Sequence, residues 1–80
     1  MLYNLFASPR YEKDVALAKK RGLDIDDLIS VVEKLQKGEK LERKHKDHPL
    51  HGNFEGTREC HIKPDWLLVY SKDDEIRLLS

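Results

Sequence analysis

The stretch TRECHIKPDWLLVYSKDDEIRLLS, residues 57–80, divides into apolar runs separated by short polar breaks. TRECHI and WLLVYS carry the β-branched, aromatic and aliphatic residues that suit a pleated surface, and IRLLS repeats the pattern. KPD, with Pro64 preset for a turn, and KDDE, rich in turn-forming carboxylates, are the connections. Links this short cannot carry a crossover, so the strands must run antiparallel as a meander. A meander of this kind needs cover on one face, and the upstream sequence supplies it.

LYNLFA, residues 2–7, reads as a first strand. Ser8 offers a helix N-cap, and Pro9 sits at the first helical position, where its missing N–H is not needed. The helix runs to Arg21 with Tyr11, Val15 and Ala18 on one face and stops at Gly22. Asp24 caps a second helix whose apolar stripe is Ile25, Leu28, Ile29, Val32 and Leu35, ended by Gly38. From Gly38 to Phe54 periodicity is lost, which predicts a loop or a loop carrying a short helical turn; Pro49 biases His48 toward extended backbone. Strand, helical hairpin and three-stranded antiparallel meander make one α+β domain over residues 1–80, a single sheet with the hairpin on one face.

Charged residues at 38% and hydrophobic residues at 39% fit a folded chain, because the apolar positions are periodic. The single cysteine, Cys60, excludes an internal disulfide. With no apolar run long enough to span a bilayer and no signal-like start, the expected location is the cytoplasm, with no membrane partner. Fifteen basic and fifteen acidic side chains cancel, so overall charge gives no argument for nucleic acid; a local basic strip runs through KGEKLERKHK, residues 37–46.

Within CHIKPDW, residues 60–66, alternation sends His61 outward with Glu59, while Cys60 and Ile62 point to the core. His61 and Asp65 flank a proline turn, which fits either proton transfer or an ordinary hairpin connection. Trp66 fits a half-buried core position or a base-stacking platform, and Tyr70 shares its side of the strand. His45, His48 and His51 recur every third residue, but Pro49 breaks the helix that would align them, and no metal site is expected. Cys60, on the core side, reads as a small apolar residue rather than a nucleophile.

KDHPLHG (residues 46–52), GTRE (56–59), CHIKPDWLLVY (60–70) and SPRYEKDVALAKKRG (8–22) together resemble, in order, the YafQ-type branch of the RelE/ParE toxin superfamily. The resemblance implies a RelE-like fold and a bacterial type II toxin. Such a toxin is a metal-independent endoribonuclease that cuts mRNA on the ribosome by 2'-hydroxyl attack, needs no cofactor, and is silenced by a cognate antitoxin. At matching positions it implies His48, His61 and Asp65 as catalytic groups and Trp66 as the neighbouring aromatic at the RNA. Arg58, Lys46 and Lys63 are the cations available for phosphate. The family's last strand continues into a tail with a further catalytic histidine and a terminal aromatic. Residues 1–80 hold neither, so weak or absent cleavage by them is expected. The alternatives are a toxin fold without chemistry, kept for antitoxin or operator-complex assembly, and a ParE-like gyrase inhibitor. The latter has no use for the ionisable groups of DHPL and HxxPDW.

Overall fold

A computed structural model describes residues 2–80. Strand β1 (Asn4–Ala7) leads into helices α1 (Pro9–Lys20) and α2 (Ile25–Gln36), a 3-10 turn (Arg43–His45), β2 (His48–Pro49) and a second 3-10 turn (Gly52–Phe54). The strands β3 (Thr57–Lys63), β4 (Trp66–Lys72) and β5 (Glu75–Leu78) then form the expected meander. Five strands share one sheet in the order β1-β5-β4-β3-β2, with β1 parallel to β5.

Both helices start where their side chains supply acceptors for free N–H groups. The Ser8 hydroxyl accepts from the Tyr11 amide at 3.0 Å and donates to the Leu79 carbonyl at 2.8 Å, so one oxygen caps α1 and ties it to the end of the sheet. Asp24 caps α2 through the Asp26 amide. At Gly38, φ is +74° and a Cβ would lie 3.2 Å from the Tyr3 ring, which leaves glycine as the fitting residue.

The core lies between the helices and one face of the sheet. Leu28, Val31 and Leu35 of α2 meet Cys60 and Ile62 of β3, Leu68 and Tyr70 of β4, and Ile76 and Leu78 of β5. The α2 stripe is rotated from the sequence expectation: Val31 is 2% exposed, whereas Ile29 is 46% exposed. Leu28, Val31, Val32 and Leu35 follow the i, i+3, i+4, i+7 spacing, and which flank of that stripe meets the sheet is a tertiary matter. The unexpected element is β2, which antiparallel pairing places at the sheet edge (His48 opposite Glu59, Pro49 opposite Arg58). Proline is tolerated there because an edge strand need not donate on its outer side.

Burial of Cys60, helped by the Asp47 and Glu59 carboxylates, pushes its thiol from 9.0 up to about 12. Burial, then the bond to Asp47, also raises the Tyr70 phenol above its ordinary value. Between pH 9.0 and about 12 the unfolded chain releases the Cys60 proton while the folded chain keeps it. Stability therefore falls as pH rises through that window, by about 1.4 kcal/mol per pH unit for each such group. Urea titrations at stepped pH above 9.0 should show this decline, and Cys60→Ala should make it shallower. An unchanged slope in that variant would remove Cys60 from the account.

Candidate active site

The sheet face opposite the helices carries the histidines. His48 of β2 lies across from Glu59 of β3, and His61 follows two residues along the same side. The two rings stand with centroids 6.5 Å apart. Each is oriented through Nδ1 by a main-chain carbonyl: His48 donates to Lys46 O at 2.6 Å and His61 to Pro64 O at 3.1 Å. In both rings Nε2 is therefore the nitrogen left for chemistry. The His48 Nε2 lies 3.3 Å from Glu59 Oε1.

His48 is placed by the residue before it. Asp47 Oδ1 accepts from Arg58 Nε at 3.1 Å and from the Tyr70 hydroxyl at 2.8 Å, fastening the loop to two neighbouring strands. Lys46 adopts a left-handed backbone (φ 46°), which turns the chain sharply and brings its carbonyl to the His48 ring. A non-glycine residue in that region is uncommon and costs energy, so the Asp47 anchor and the ring bond have something to offset.

The other expected site residues are arranged differently from the sequence reading. Asp65 is exposed in the β3–β4 turn, and the oxygen that meets His61 Nδ1 is the Pro64 carbonyl rather than the Asp65 carboxylate. Trp66 shares the inward side of β4 with Leu68 and Tyr70 and packs half-buried against the core. With Lys63 and Asp65 it lines a cleft of about 390 Å³ beside α1. Arg58 is engaged by Asp47 on the core side of β3, and Lys63 pairs with Asp27 of α2 at 2.8 Å. Lys46 is exposed and stands two residues before His48 in sequence.

Glu59 and Asp47 were not singled out from the sequence as site residues. Glu59 could have been found by alternation, because it shares the His61 side of β3. The role of Asp47 depends on Tyr70, far along the chain, and no local pattern reports it. His45, His48 and His51 do not converge: His45 is buried, His48 lies on the sheet face and His51 is exposed before the second 3-10 turn. Among the described residues, no group of three or more His, Cys, Asp and Glu side chains is gathered to hold a metal ion. No helix among them is long and apolar enough to cross a membrane.

Comparison with known proteins gives a consistent result. The mRNA interferase toxin YafQ of Escherichia coli K12 is 40% identical over 70 residues, covering 86% of this chain and 76% of that protein. The crystal structure of the E. coli DinJ-YafQ toxin-antitoxin complex superposes with a TM-score of 0.90 at 36% identity, over 99% of this chain and 89% of that one. A metal-bound toxin from Helicobacter pylori matches with a TM-score of 0.90 at 39% identity, over 99% of this chain and 90% of that one. The family described as bacterial toxin of type II toxin-antitoxin system, YafQ, matches residues 3–80, and with the fold and relatives in agreement the chain belongs to that family.

Proposed function

We propose that this toxin cleaves ribosome-bound mRNA with His61 as general base and His48 as general acid, and that a cognate antitoxin silences it in the cytoplasm. The observation that carries this reading is the pair of histidines, 6.5 Å apart on an open sheet face, each with Nδ1 committed to a carbonyl. A neutral His61 that donates from Nδ1 has its lone pair on Nε2, ready to take the ribose 2'-hydroxyl proton. His48 also donates from Nδ1, and its Nε2 faces a carboxylate. In the role of general acid the ring carries a second proton on Nε2 and passes it to the leaving 5'-oxygen. The 2'-oxygen bonds to phosphorus as the 5'-oxygen departs, leaving a 2',3'-cyclic phosphate and a 5'-hydroxyl.

In this reading Lys46 meets the phosphate backbone. Arg58 and Lys63 act indirectly, holding Asp47 and the turn at Pro64, while Asp65 orients His61 through that turn. Trp66 is assigned to the rim of the cleft beside the turn rather than to the histidine face.

Incubating the protein with ribosomes programmed with a defined message tests the reading. The expected product ends are 2',3'-cyclic phosphate and 5'-hydroxyl. Products ending in 3'-hydroxyl would sink the 2'-hydroxyl route, and intact message beside normal antitoxin binding would leave a non-catalytic module. Glu59→Gln removes the carboxylate that orients His48, so cleavage should fall about tenfold. An unchanged cleavage rate would take Glu59 out of the mechanism.

A further inference from the structure

The catalytic proposal leaves a buried histidine unused. His45, in the 3-10 turn before β2, is the buried polar residue among those described, at 9% exposure. Its ring Nδ1 donates to the main-chain carbonyl of His61 at 2.7 Å.

The location of this bond gives it meaning. β2 pairs with β3 only at His48–Glu59 and Pro49–Arg58. Continued in the same register, the pairing would set residue 46 opposite His61, but the chain turns away at Lys46, where φ is 46°. The His61 carbonyl thereby loses the backbone partner a longer β2 would have provided, and the His45 ring takes that place. On the other side, the β3–β4 register shifts between His61 and Lys63. A bulge re-aims the side chain beside it, and its geometry stays single only where neighbouring groups hold it.

We infer that His45 is a positioning residue for the cleavage reaction: its ring fixes the peptide following His61 and so sets the direction of the His61 imidazole. This rests on the reading of His61 as a catalytic group. His45 acts entirely through main chain and does not reach substrate; it lines a cleft of about 330 Å³ between α2 and the β3–β4 turn, lined also by Lys34, Lys63 and Pro64. The His61 ring is thus held at both ends, by its own bond to Pro64 O and by the His45 bond to its carbonyl.

The test compares His45→Leu, which keeps bulk without a donor, with His45→Asn, whose amide N–H can stand in for Nδ1–H. In the unaltered protein, NMR should show a slowly exchanging His45 ring proton with a coupling across the hydrogen bond to the His61 carbonyl carbon. Absence of both signals would overturn the proposal without any variant. His45→Leu should shift the His61 ring resonances and lower the maximal cleavage rate about 10- to 100-fold, with half-saturating ribosome concentration nearly unchanged. His45→Asn should restore both. Equal rates and equal His61 spectra in the two variants would overturn the inference. If His61→Ala cleaves like its parent, the catalytic reading fails, while the spectra still decide whether His45 orients His61.

Discussion

His61→Ala should slow message cleavage about 10²- to 10⁴-fold while leaving antitoxin binding and thermal stability close to those of the parent. The ring is only partly buried, on the open sheet face, and its Nδ1 bonds the Pro64 carbonyl, so its loss opens no core cavity. What disappears is the Nε2 lone pair that accepts the 2'-hydroxyl proton. The defect should therefore lie in the maximal rate, and ribosome affinity should barely change. Cleavage kinetics on programmed ribosomes, with an antitoxin titration as the control for folding, provide the measurement. A variant that cuts at the parental rate would remove His61 from the chemistry, and a variant that loses antitoxin binding would show a structural role instead.

Asp47→Ala should be the most damaging change for stability outside the apolar core. It removes one carboxylate oxygen that receives both Arg58 Nε and the Tyr70 hydroxyl. Tyr70 is 1% exposed, so water cannot easily replace the lost acceptor. Arg58 is 38% exposed in its side chain, so solvent screens that half of the loss. The expected cost is about 2 kcal/mol, dominated by the phenol, which lowers the melting temperature of a domain this size by roughly 10 °C. Cleavage should fall as well, because the freed loop no longer holds His48 against Glu59. Asp47→Asn keeps an acceptor oxygen and should recover about half of the stability. If thermal melts of Asp47→Ala match the parent, the loop is anchored by something other than this carboxylate.

Much of the fold was legible because local rules and tertiary packing agree. Ser8, Asp24, Gly22 and Gly38 bound the helices, and Pro64 and the Asp73–Asp74 pair bound the meander, each through side-chain or backbone preferences that act within a few residues. β2 was hidden because two residues, one of them proline, produce no period. The parallel pairing of β1 with β5 was hidden as well, since alternation shows that a strand has two faces and says nothing of its neighbours. At the site, the outward face of His61 was readable from alternation, but its approach to His48 depends on a turn at Lys46 that no glycine announces. Trp66 could be read from its own surroundings as core or stacking platform, and its inward register shared with Leu68 and Tyr70 appears only once the strand is placed in the sheet.

The pairing of β1 with β5 joins residues 4–7 to residues 75–78, and Ser8 adds two more bonds, its amide to Leu78 O and its hydroxyl to Leu79 O. β1 thus waits for β5. Closing a loop that spans almost the entire chain is entropically costly and kinetically late. Until β5 is in place, β1 has no partner, α1 lacks its tie to the sheet, and the floor of the core is incomplete. Docking of β1 is therefore expected as a late step of folding, taken after the meander has formed.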